Sequence, residues 1–112
     1  MSAIVWVDSD TADSIPAQQL RDGAGNPIDL TGAEVVLRWR EVGDAPCTIL
    51  APLDGIVRPQ RVEVDVWAGR DFAQLEGRFI VTYTGGATQS VPSAGTVTGM
   101  VYAQVPVPEV AV

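Results

Sequence analysis

Turn-forming residues cut this sequence into short pieces, and that spacing limits what it can fold into more than any other feature. Gly and Pro are spread along the whole chain and separate apolar stretches only four to seven residues long. Turns recur about every 8–12 residues, the spacing of a sandwich or barrel of short strands. Two stretches alternate strictly. In Glu34 to Arg40, Val35, Leu37 and Trp39 fall on one face and Glu34, Val36, Arg38 and Arg40 on the other. In Arg61 to Trp67, Val62, Val64 and Val66 oppose Arg61, Glu63, Asp65 and Trp67. A period of two places one face on a core and the other largely in water.

The remaining pieces follow the same logic. Ala3 to Val7 is rich in β-branched and aromatic residues. Ser14 to Leu20 contains Pro16, which cannot donate to a ladder, so it is expected at a sheet edge. Arg21 to Pro27 reads as a turn, because Asp22-Gly23 and Gly25-Asn26 supply positive-φ positions. Glu41 to Pro46 is expected as a break around Gly43-Asp44, before a short strand from Cys47 to Ala51. Pro52 to Gly55 closes that strand, and Ile56-Val57 is a brief strand ending at Pro59. Ala68 to Gly77 reads as a crossover loop with one helical turn, capped by Asp71, carrying Phe72 and Leu75 and stopped by Gly77. Arg78 to Thr84 is a strand with Phe79, Val81 and Tyr83 on one side. Gly85-Gly86 turns the chain into Thr88 to Val91. After a turn at Pro92 to Gly95, Thr96 to Val105 is the last strand. The expected fold is an all-β, immunoglobulin-like antiparallel β-sandwich of seven to eight short strands over residues 1–105. A proline-interrupted tail, 106–112, follows it.

Composition excludes several chemistries. The 112 residues include no His, and the seven cations are all Arg against 14 carboxylates, for a net charge of −7. A chain this acidic is poorly suited to nucleic acid or to anionic membranes, which need clustered cations. Without His or Lys, Ser14, Ser90 and Ser93 have no base to activate them. Cys47 is the single cysteine. It forms no intrachain disulfide or cysteine-based zinc site, and beside Pro46 it reads as a buried thiol. No apolar run reaches the roughly 20 residues of a membrane span. The N-terminus lacks the basic region of a signal peptide. Asp8, Asp10 and Asp13 offer carboxylates to calcium, but the Gly and distal Glu of an EF-hand loop are absent, so this run reads as a solvated acidic turn. Asp29 is expected to bond its own turn backbone, not to pair with Glu34 for acid–base work. The sequence implies no enzyme, cofactor or metal.

Several motifs together resemble a known family. They are Asp10-Thr11, Leu20-Arg21-Asp22, Gly25-Asn26-Pro27-Ile28-Asp29-Leu30-Thr31-Gly32-Ala33, Asp54-Gly55-Ile56-Val57, Leu75-Glu76-Gly77-Arg78-Phe79, Gly85-Gly86 and Val91-Pro92. Over Thr11 to Val105 the chain resembles the N-terminal immunoglobulin-like domain of phage baseplate upper proteins and related phage tail proteins. The resemblance implies a virion structural protein, made in the host cytoplasm. It would be a tail or baseplate component or adaptor, with capsid decoration as a second placement. Its partners would be other virion proteins and identical subunits, in a homo-oligomer.

The residues expected at contacts come from the pattern itself. Arg38, Arg40, Arg61 and Arg78 fall on outward faces with Glu34, Glu63 and Asp65, where cross-strand pairing or docking of neighbouring subunits is expected. Trp39 reads as core. Trp67, on a polar face, is the candidate for an exposed aromatic contact, to a partner or to a sugar. Val107, Val110 and Val112 give the tail an apolar character suited to strand addition on another subunit.

Overall fold

The computed structural model describes residues 4–7, 15–62, 72–92 and 95–102. Among them are eight strands: β1 (Ile4–Val7), β2 (Gln18–Gln19), β3 (Glu34–Trp39), β4 (Gly43–Ala51), β5 (Ile56–Pro59), β6 (Phe72–Thr82), β7 (Thr88–Val91) and β8 (Val97–Tyr102). The chain forms the expected all-β, immunoglobulin-like sandwich.

The strands follow one curling path, β1-β8-β6-β3-β4-β5-β2, with β7 also on β6. β6 is the spine. It pairs with β3 over its second half, and with β8 and then β7 along its length. β4 joins the layers. Its first residues pair with β3 as far as Pro46, and from Cys47 onward it pairs with β5. β2, only two residues long, closes the path beside β5 as the Pro16 argument expects. All of these pairs are antiparallel except β1 with β8, which is parallel.

The core is the inward face of the alternating strands. Val35, Leu37 and Trp39 from β3, Ala73, Leu75, Phe79 and Val81 from β6, and Val97 and Val101 from β8 are all buried. Trp6 is buried too, its ring 5.6 Å from that of Trp39. Fully burying side chains of this size contributes about 1.5–3 kcal/mol each. Under Trp39 the sheet has no side chains. A Cβ on Gly77 would lie 2.7 Å from its Cε3, and one on Gly99 2.5 Å from its Cη2.

Three expectations are corrected. The helical turn before Gly77 is absent: β6 runs unbroken from Phe72, and Gly77 is a mid-strand site that makes room for Trp39. The break at Glu41 to Pro46 is shorter, because β4 begins at Gly43, whose φ of 89° lets the chain reverse after Trp39. Pro46 then sits inside a strand, at the point where β4 leaves β3 and a missing N–H is tolerated. Finally, Arg61 and Val62 lie outside any strand, since β5 ends at Pro59. The rest of the expected Arg61–Trp67 strand falls outside the described residues.

Candidate interaction surface

Three of the motifs, Leu20-Arg21-Asp22, Gly25 to Ala33 and Asp54 to Val57, meet in space. Leu20 N–H donates to Gly55 O (2.8 Å), Ile28 N–H to Leu20 O (3.0 Å) and Leu30 N–H to Pro52 O (2.8 Å). Gly55 has φ 67°, and a Cβ there would stand 2.7 Å from Leu20 O and 2.9 Å from Ile28 O. Asp22 Oδ1 accepts from Ala24 N–H and Asn26 N–H, which holds the preceding turn. Asp29 Oδ1 accepts from Thr31 N–H (3.0 Å) and Thr31 Oγ1–H (2.7 Å). Those bonds hold the Asp29 carboxyl below its ordinary range, and they make Asp29 the turn-bonding residue that its position implies. Ile28, Leu30 and Ala33 are buried. These motif positions build a backbone knot and bring no reactive side chain into a cleft.

The outward face of β3 and β6 is different. Arg38 lies directly across from Asp44 on β4 and from Arg78 on β6. Its Nε is 2.9 Å from Asp44 Oδ1. The bonded pair lowers the Asp44 pKa and raises that of Arg38, both groups being solvent-exposed. Arg40, just past the end of β3, reaches Glu76 Oε2 at 3.2 Å and Glu41 Oε1 at 3.8 Å. Glu41 also accepts the Glu76 N–H at 2.8 Å, so its carboxylate ties the hairpin to β6.

Arg78 donates from Nε and Nη2 to Gly95 O, at 3.2 and 2.8 Å. Among the described residues no carboxylate pairs with it. Like charges directly opposite on a sheet are unfavourable. Here the cost is offset on one side by Asp44 and on the other only by a neutral carbonyl. The three guanidinium groups border an open groove of about 330 Å³, floored by Gly77 and Ile80 and flanked by Ser90 and Thr96.

Of the arginines expected on the outward face, the structure brings Arg38, Arg40 and Arg78 together. Arg61 is exposed and lies outside the groove. For Arg38 and Arg40 the carboxylate partners are Asp44, Glu41 and Glu76, and not Glu34, because strand register decides who faces whom. Glu63, Asp65, Trp67, Val107, Val110 and Val112 lie outside the described residues.

A second cleft opens where β4 parts from β3. It has a volume of about 520 Å³ and is lined by Ala33, Glu34, Val35, Val36, Pro46, Cys47 and Ile49. Desolvation pushes the half-buried Cys47 thiol up to about 12. Among the described residues no group of three His, Cys, Asp or Glu side chains is placed to hold a metal ion, and no helix is long and apolar enough to cross a membrane.

Compared with known proteins, the chain matches no family model and no curated protein sequence.

Proposed function

We propose that this chain is a non-enzymatic structural component of a phage virion, a tail or baseplate subunit or adaptor that acts through its sandwich surfaces and termini. The observation that carries the reading is the gathering of Arg38, Arg40 and Arg78 around one groove. Seven cations serve a chain of net charge −7, and three of them share this face. With Glu76 in its lining and Asp44 and Glu41 bonded to two of its three guanidinium groups, the groove is a mixed-charge face, and complementary charge patterns between copies steer encounter and fix register. Homo-oligomers of this kind close into rings or symmetric assemblies.

The outer edge of β1, which has no neighbour among the described residues, offers main-chain groups to another strand. The tail or baseplate placement rests on the turn motifs and on the way the Gly25–Ala33 and Asp54–Val57 motifs interlock.

The test is reconstruction of purified particles from a phage that encodes this chain. The reading expects repeated density for the sandwich, with the arginine groove against a neighbour. Charge reversal by Arg38→Glu with Arg78→Glu should remove the chain from particles while the isolated domain stays folded. Particles that lack the chain would refute the proposal.

A further inference from the structure

We propose that the arginine groove takes the Leu53–Asp54 tip of a second copy, with the leucine against the groove floor and the carboxylate against Arg78. This rests on the assembly reading above and names the surface that enters the groove.

The groove is charged unevenly. Asp44 holds Arg38, and both Glu41 and Glu76 approach Arg40. At the other end, Arg78 has only the Gly95 carbonyl among the described residues, bonded from Nε and Nη2. Its Nη1 is left for a further acceptor. Arg38 stands directly across from it, and like charges so placed repel. One carboxylate at the Arg78 end relieves that repulsion through a charge-assisted bond of the kind arginine favours. Two residues along the same face of β6, Ile80 makes the floor apolar. The groove therefore suits a short segment with one apolar and one acidic side chain next to each other.

Such a segment stands on the surface of the same molecule. Three large apolar side chains are exposed among the described residues: Val5 and Leu50 at 45% and Leu53 at 73%. Val5 and Leu50 lie within β1 and β4. Leu53 lies on the turn Pro52–Asp54 between β4 and β5, where it can project into a concave partner. Of the three, only Leu53 has an acidic neighbour in sequence. Asp54 bonds through its main-chain carbonyl, which accepts from Gln19 Nε2 at 2.9 Å, and its carboxylate engages no partner among the described residues. Pro52 O accepts from Gly55 N–H at 3.3 Å and from Leu30 N–H at 2.8 Å, which fixes the turn. A segment ordered beforehand loses little entropy on docking. Arg78 and Ile80 leave their strand face roughly 7 Å apart, a span that two adjacent side chains diverging from a turn cover.

Geometry assigns the tip to a different subunit from the groove. Asp44 lies across from Arg38. β4 then carries the chain to Ala51, roughly 23 Å along the strand, before the tip begins. The bonds at Pro52 and Asp54 hold the tip there, so no chain fills its own groove. Tip and groove are different surfaces of one subunit. Their contact is head-to-tail, and it closes into a ring or extends as a filament.

Sedimentation velocity of full-chain variants tests this. Leu53→Glu and Arg78→Glu should each weaken self-association by about tenfold or more. Both should keep the parent's melting temperature closely, since neither side chain belongs to the core. Leu50→Glu, the same change within a strand, should associate as the parent does. An equimolar mixture of the Leu53→Glu and Arg78→Glu chains should form a one-to-one dimer and nothing larger, because one intact tip then meets one intact groove. A mixture that stays monomeric would overturn the proposal, as would a Leu50→Glu chain impaired as much as Leu53→Glu. If Leu53→Glu associates normally while Arg78→Glu does not, the tip proposal fails and the assembly reading stands. If the parent chain is monomeric at every concentration, both fail.

Discussion

The indole of Trp39 lies directly on the backbone of Gly99, so close that a β-carbon on that glycine would stand 2.5 Å from Cη2. Gly77 meets the same ring from β6, 2.7 Å from Cε3 by the same measure. Three strands of one sheet are thus joined through one large side chain. Gly in a strand ordinarily costs about 0.5–1 kcal/mol relative to Ala, so Gly→Ala at an unencumbered strand site would stabilise. Here the sign reverses. Gly99→Ala and Gly77→Ala should each destabilise by about 1–3 kcal/mol through overpacking, which for a domain near this size is a melting-temperature drop of roughly 4–8 °C per kcal/mol. Urea titration and thermal melting check this. An unchanged or raised midpoint would mean that the ring does not rest on these glycines.

A second pair of glycines separates backbone conformation from contact. Gly55 and Gly86 both have positive φ, 67° and 87°, but a Cβ on Gly55 meets Leu20 O and Ile28 O, while one on Gly86 meets nothing within 4 Å. Gly86→Ala should cost about 1–2 kcal/mol, the ordinary penalty of the left-handed region. Gly55→Ala should cost clearly more, because carbonyl oxygens of a bonded knot must also move. Equal losses in chemical denaturation would contradict the knot.

Much of this architecture is legible in the sequence, and the exceptions share a cause. Val35, Leu37 and Trp39 announce β3 because period two is a local property, and Gly85-Gly86 announces its turn for the same reason. Gly77 was open to misreading, because a glycine after Asp71 and Leu75 looks like a helix stop. Its function is set by Trp39, nearly forty residues earlier in the chain. Pro46 falls at the end of the expected break because nothing local reveals that β4 starts at Gly43 and changes neighbour there. Among the arginines, the outward face was readable from alternation, but the partners were not. Asp44 and Glu76 become partners only when the β3–β4 hairpin and the β3–β6 register are set. The Arg78 contribution to the groove depends on that same register.

The pH dependence of stability follows from Asp29 and Asp44. Both have folded pKa values below the ordinary 3.8, Asp29 through its bonds from Thr31 and Asp44 through Arg38. A depressed carboxyl pKa contributes stability that is fully present above the unfolded value and is lost as pH falls through the folded one. The domain should therefore lose stability as pH drops below about 4. Asp29→Asn and Asp44→Asn, which keep an acceptor oxygen but do not titrate, should flatten that decline. Melting curves at a series of acidic pH values decide it. A slope unchanged by both variants would show that other carboxyls control acid unfolding.

Cys47 gives the opposite slope at high pH. Burial raises its pKa from 9.0 to about 12. The folded state therefore resists ionisation, and its stability should fall as pH rises above 9 toward 12. At neutral pH a three-unit shift leaves roughly a thousandfold less thiolate than an ordinary cysteine has. Labelling by a thiol reagent should be slow in buffer and fast in denaturant. Equal rates in the two conditions would place Cys47 in water.

Self-association is the property on which the functional account depends, and sedimentation velocity over a broad range of protein concentration measures it most directly. The account predicts a concentration-dependent conversion of monomer to a larger species of defined copy number. Arg38→Glu with Arg78→Glu should suppress it, and added salt should weaken it as the charged faces are screened. A single monomeric species at every concentration, for parent and variant alike, would contradict it.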